Sequence, residues 1–294
     1  MVLRANAKEQ KMKARCKMKA MFITAIIFTF SSMVFAVNDP NAAENITNVE
    51  TIVNSANLTA YYQGNDGKAK VKMTITDKKG RTRLREFIIL RKDIKDGGNQ
   101  KYYVYFLKPA DVRKMVFMVH KHTDIKKDDD RWLYLPGLDL VRRIAAGDKR
   151  TSFVGSDFLY EDVSGRNLAE DTHELIETTD KYYIVKNTPK KPDTVEFSYF
   201  NVSIDRKTFV PMKMEFYDKK NKLCRIIESK KVETIEVKER EKIQRFPTVV
   251  KSIVSDLNTG SKTEMEFTNV KYNINLKDIF TERYLRRPPR EAIR

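Results

Sequence analysis

Apolar and polar residues alternate along Val71-Met73-Ile75, Met212-Met214-Phe216 and Met265-Phe267, with Lys, Thr, Glu or other polar residues between them. A period of two belongs to a strand with one apolar and one wet face. Almost everything from Lys68 to Tyr272 has strand character, punctuated by hairpin signals at Asp77 to Gly80, Asp96 to Asn99, Asp218 to Asn221 and Asn258 to Gly260. The pattern predicts a mainly β protein: a single curved antiparallel sheet or half-open β-barrel of up-and-down strands. Tyr102 to Leu107 is apolar throughout, which implies a strand covered on both faces or an aromatic-lined wall. Ile46, Val49, Ile52, Val53 and Ala56 recur at three- and four-residue spacing, predicting a short amphipathic helix from a start near Asp39-Pro40. With no linker-like composition shift and no repeat, one folded domain is expected.

Location follows from the amino terminus. Met21 to Ala36 is a sixteen-residue run without a charge, preceded by a basic stretch and followed by Val37-Asn38-Asp39-Pro40. A membrane-spanning helix needs about 20 apolar residues, and Val34-Phe35-Ala36 suits a signal peptidase. The expectation is an exported, periplasmic protein cleaved after Ala36 and starting at Val37. Cleavage removes Cys16 and leaves Cys224 as the sole thiol, read as a small buried apolar residue in the strand-like KLCRII.

The formal charge is +17, of which +6 lies in the first 36 residues, leaving +11. Such an excess attracts polyanions. Export removes the reason to read this charge as a genomic DNA signal, so an anionic membrane surface or an acidic partner is the better guess. No glycine-rich phosphate loop, nucleophile elbow or zinc-protease helix is present, and no acid, base and nucleophile can be assembled, so neither an enzyme nor a cofactor is expected. His120 and His122 share a strand face without an identifiable third ligand and read as a surface pair.

The most informative stretch is Arg131 to Asp162, with the only tryptophan, a strand stopping at Pro136, two arginines, and a Gly/Ser/Asp/Lys loop leading to Gly155-Ser156-Asp157-Phe158. An irregular excursion of that length between strands is a lid or binding loop as often as a packed structural loop.

Five phrases follow one another in order: Met73 to Asp77 with Gly80, Phe106 to Asp111, Trp132 to Pro136, Arg142 to Ile144, and Gly155 to Phe158 with Tyr160 to Asp162. Ile204-Asp205 ahead of Pro211 to Lys213, and Phe246 to Thr248, continue the series. Together they resemble the exported outer-membrane lipoprotein-sorting proteins, LolA-like in fold. The resemblance implies a half-open barrel whose concave apolar face, covered by a helix and loops, holds acyl chains of lipids or lipoproteins. It also implies exchange with an inner-membrane transporter and an outer-membrane receptor. After Pro136 this chain has Gly137-Leu138-Asp139-Leu140 where family members usually carry a small and then a basic residue. A latch arginine between barrel and lid is a property of the best-known members, for which Arg142 and Arg143 are the candidates.

The expected segments are 1–36 as signal peptide, 37–67 as helix and lead-in, 68–287 as the β domain and 288–294 as a basic tail. The expected cavity wall is Met212, Met214, Phe216, Met265 and Phe267, with Trp132 and Tyr134 near its opening. Arg142, Arg143, Asp157 and Phe158 are expected on the cover or a partner surface. The alternative for the same apolar face is a sealed core. The runner-up function is an envelope binding module or adhesin for acidic polymers or anionic surfaces, favoured by the +11 charge and the basic tail.

Overall fold

In a computed structural model the chain is described over residues 46–95 and 97–293; the leader and the Ala36 cleavage site lie outside them. The first half-sheet comprises β1 (Asp66–Thr76), β2 (Thr82–Asp93), β3 (Gln100–Lys108), β4 (Val116–Lys121), β5 (Asp130–Leu135) and β6 (Leu140–Ile144). The second comprises β7 (Asp171–Thr178), β8 (Tyr182–Pro189), β9 (Phe197–Asp205), β10 (Pro211–Asp218), β11 (Leu223–Glu239), β12 (Lys242–Asp256) and β13 (Ser261–Tyr272). They form one 13-stranded antiparallel sheet in the order β6-β5-β4-β3-β2-β1-β13-β12-β11-β10-β9-β8-β7. Every neighbour is a hairpin partner except at the centre, where β1 pairs with β13 and Met73 faces Met265. The sheet is open, with β6 and β7 as its edges.

Sequence alternation translates directly into two faces. Leu175, Val185, Val202, Met214, Ile227, Val254, Thr263 and Ile75 are successive cross-strand partners, so one inner row crosses eight strands. Between β1 and β10 the outer face is wet, and lysines meet carboxylates across or along strands. Lys70–Glu86 stands at 3.3 Å, Lys251–Glu264 at 2.9 Å and Lys213–Glu215 at 2.6 Å.

Strand β3 is covered on both faces. Tyr102, Val104 and Phe106 join the inner core, while Tyr103 and Tyr105 lie in an outer cluster. What covers them outside is the chain after β13, where Leu276, Ile279, Phe280, Leu285 and Ala292 pack on β2 to β5. The Asp66 carboxylate anchors this segment by accepting the N–H of Ile274 at 2.7 Å and of Leu276 at 2.6 Å. The segment contains two short helices, α3 (Arg283–Arg286) and α4 (Arg290–Ile293).

Helix α1 (Val49–Tyr61) starts later than the spacing suggests. Residues 46–48 are not helical, because the Asn48 side chain caps the helix by accepting the Thr51 N–H at 3.1 Å. A further adjustment concerns Pro136: the chain turns there but returns at once as β6, pairing Leu140 with Leu135.

Candidate functional site

Two covers lie on the inner face. Helix α1 puts Ile52, Val53 and Ala56 against Tyr183, Val185, Phe200 and their neighbours on the β7 to β10 side. Its C-terminal end is held by Arg91 of β2, whose guanidinium donates to the carbonyls of Tyr61, Gln63 (2.6 Å) and Gly64 (2.5 Å). A cation among the carbonyls at a helix C-terminus is favourably placed.

The second cover is the segment between β6 and β7, including α2 (Tyr160–Ser164). Phe153, Phe158 and Tyr160 sit in the inner core with Phe87, Phe106 and Phe117. Phe117 meets Tyr160 at 5.0 Å and Phe153 at 5.5 Å between ring centroids. Asp157 pins this cover to β13: its carboxylate accepts from the hydroxyls of Ser261 at 2.5 Å and Thr263 at 2.6 Å. Arg225 of β11 donates to the Asp157 carbonyl at 3.2 Å and to the Asp162 carboxylate.

Charge fixes the remainder of the cover. Glu161 is 3 % exposed and is surrounded by Arg150, Lys149 at 3.2 Å and Arg166 at 3.4 Å. Burial alone would raise its pKa, but the three cations outweigh burial and hold the carboxyl below its ordinary value. Arg166 continues the network to Asp171 at 2.8 Å. Beside it, the buried Lys121 of β4 donates to the Ser164 carbonyl at 2.6 Å and lies 5.2 Å from the centre of the Tyr61 ring. Burial pushes this lysine down to about 8.

Between the two covers and the sheet is a cavity of about 400 Å³, within the roughly 300–1,000 Å³ of small-molecule sites. Val53, Ala56 and Ala60 of α1 form one wall and Phe153, Phe158 and Val163 another, with Ile89, Met214, Ile227, Met265 and Phe267 from the sheet. Asn57, Asn167, His173 and Asn187 add polar lining. His173 Nδ1 lies 2.7 Å from the Asn187 side-chain oxygen. Ile89, Val163, Met214, Ile227 and Phe267 are only partly buried although they point inward, since they face space rather than atoms. Among the described residues no three His, Cys, Asp or Glu side chains converge as metal ligands.

Of the residues singled out in the sequence, Met214, Met265, Phe267 and Phe158 meet on this cavity. Trp132 and Tyr134 do not. They lie in the outer cluster, because Leu133 and Leu135, one step out of phase, take the inner face of β5. Met212 falls at a register break between Pro211 and Lys213 and lines no part of the cavity. Phe216 is inward but buried among Phe197 at 5.3 Å and Phe200 at 4.9 Å, which fill the space before it. Arg142 and Arg143 sit on edge strand β6, the first 3.7 Å from Asp148 and the second against Asp130 and over the Trp132 ring. Ile89, Ile227 and Val163 were not singled out; the cross-strand register that places Ile227 beside Met214 is invisible until the strands are paired.

A family model described as an uncharacterized protein matches residues 98–287. A Desulfovibrio piger structure described as a DUF1329 family protein is 26% identical, covering 81% of this chain and 98% of its own with a TM-score of 0.71. The chain belongs to the DUF1329-like family. Two further structures resemble this DUF1329-like chain in fold. One, from Vibrio parahaemolyticus, is described as a putative outer membrane lipoprotein-sorting protein domain, with 24% identity, coverage of 82% and 100%, and a TM-score of 0.69. The other, a LolA superfamily protein from Nitrosomonas europaea, has 18% identity, coverage of 81% and 100%, and a TM-score of 0.59. No curated protein matches the DUF1329-like chain. Among the described residues no helix is long and apolar enough to cross a membrane.

Proposed function

We propose that this protein is a carrier in the cell envelope that binds a lipid or an acylated lipoprotein segment in the cavity between α1 and the β6–β7 cover. The observation that carries the reading is the set of inward apolar residues left partly exposed around about 400 Å³ of space. Met214 and Met265 add soft, repackable wall, which suits a flexible chain better than a rigid ring. Each methylene taken from water contributes roughly 0.8 kcal/mol before ordering costs, so one acyl chain supplies enough driving force. A carrier of this kind loads and delivers, and the lipoprotein-sorting resemblance favours an inner-membrane transporter and an outer-membrane receptor as the exchanging partners. Residues 68–287 are the carrier body in this reading, and the mature chain starts at Val37.

An acidic-polymer module is the weaker reading, because the lysines of the broad outer face are already matched by carboxylates. The test is uptake of a fluorescent fatty acyl probe together with mass analysis of lipid extracted from the purified protein. Met214→Glu should weaken uptake at least tenfold while the circular dichroism spectrum remains that of the folded sheet. A wild type that takes up no probe and yields no lipid sinks the reading.

A further inference from the structure

Leu138 is the most exposed large apolar side chain among the described residues, at 73 %, and Leu140 on the same hairpin is 46 % exposed. Neither leucine belongs to the outer cluster. Asp139, at φ 45°, is fixed from two sides: the Tyr134 hydroxyl donates to its carboxylate at 3.1 Å and Arg286 of α3 does so at 3.0 Å. The result is an exposed apolar tip at the edge of the sheet.

Cations surround it. Arg142 and Arg143 are adjacent on β6 and so face opposite sides of the hairpin, with side chains 62 % and 65 % exposed. Arg286 reaches the tip from α3 and lies against the Tyr134 ring at 5.8 Å. Arg283 and Arg287 lie beside Arg286 in the chain, both exposed, and neither meets a carboxylate within ion-pair distance among the described residues. Arg142, Arg143 and Arg286 each have a carboxylate partner, in Asp148, Asp130 and Asp139, so the excess positive charge beside the tip comes from Arg283 and Arg287.

We infer that the β5–β6 hairpin tip, with the arginines of the C-terminal segment, docks on an anionic membrane surface. A bilayer suits the geometry better than a folded partner does. The apolar element is an exposed hairpin tip rather than the lining of a groove, and such a tip enters the soft headgroup–acyl boundary without a matching pocket. Leucines flanked by arginines, with a tyrosine at the collar, are the composition of an interfacial anchor. The surface is separate from the cavity, so docking and ligand uptake stand or fall independently.

The experiment is sedimentation of the protein, as exported and processed by an expressing bacterium, with phosphatidylcholine vesicles containing or lacking phosphatidylglycerol. Wild type should partition onto the anionic vesicles in a salt-sensitive way. Leu138→Ser with Leu140→Ser should lower partitioning about tenfold or more, and Arg283→Ala with Arg287→Ala about fivefold for each arginine. All four side chains are exposed, so the fold is retained; unchanged acyl-probe uptake verifies that and separates a failure here from a failure of the carrier reading. No partitioning by the wild type, or equal partitioning of wild type and both variants, overturns the inference. So does salt-sensitive binding to a soluble acidic polypeptide that the leucine changes leave intact, which would assign the arginines to a protein partner.

Discussion

A Cβ atom on Gly165 would stand 2.7 Å from Cζ of Tyr61. The two covers therefore touch where one contributes a residue with no side chain and the other an aromatic ring. Gly165 has φ +80° and ψ 148°, a conformation close to one that is essentially glycine-only. Gly165→Ala should lower the unfolding free energy by about 1–3 kcal/mol from backbone strain alone. The contact with Tyr61 adds to that, and denaturant titration reads the sum. Stability equal to the wild type would mean that the covers are not in fixed contact.

The cavity makes a prediction that a packed core does not. Ile227 points into the space and is only partly buried. Ile227→Trp should fill the space, leave the melting temperature within a few degrees and abolish acyl-probe uptake. Overpacking a filled core instead costs about 1–3 kcal/mol; a large drop in melting temperature would show that no usable space exists there.

Removing Glu161 leaves Arg150, Lys149 and Arg166 without their shared carboxylate. Breaking a buried ion cluster in this way costs about 3–5 kcal/mol, so Glu161→Gln should unfold at clearly lower urea. The group also sets an acid limit. Its folded pKa is depressed, so its contribution is present above the ordinary value of 4.5 and is lost as pH falls through the folded value. Wild-type stability should therefore fall more steeply below pH 4.5 than that of Glu161→Gln, and parallel curves would remove the carboxylate from the account.

Lys121 works in the opposite direction. Burial lowers it from 10.5 to about 8, so the folded protein sheds a proton that the unfolded chain still holds between those values. Stability from this group rises with pH across the window, by up to about 3 kcal/mol. Lys121→Met never carries the charge, so its disadvantage or advantage relative to wild type should shift toward the wild type between pH 8 and 10. Thermal denaturation across that range measures it, and a constant difference would count against the assignment.

What the chain reveals before it folds is uneven. Alternation around Val71, Met214 and Met265 identifies strands and their apolar sides, and turn residues such as those from Asp77 to Gly80 divide them correctly. Period two says which residues of one strand share a face, but not which face lies under the covers. Trp132 and Tyr134 are the cost of that ambiguity: β5 is apolar on both sides, and only Phe153 and the C-terminal segment decide which is inner. That segment carries its own signal in the spacing of Leu276, Ile279, Phe280 and Leu285, weakened by the charged Lys277, Asp278, Glu282 and Arg283 between them. Phe216 alternates faithfully with Met214 and still misses the cavity, because its surroundings are set by Phe197 and Phe200 from another strand.

The pairing of β1 with β13 has a kinetic consequence. Each half of the sheet is a run of local hairpins that can form early, but Gly67 finds Tyr272 only across nearly the whole described chain, and such distant closures are slow. Met265 and Phe267 come from one side of that junction and Ile89 from the other, so the cavity does not exist until the two halves zip together. A nascent or truncated chain lacking β13 has two half-walls and no closed cavity, and any ligand held there, as proposed for an acyl chain, would act as a late fastener that rewards only the completed fold.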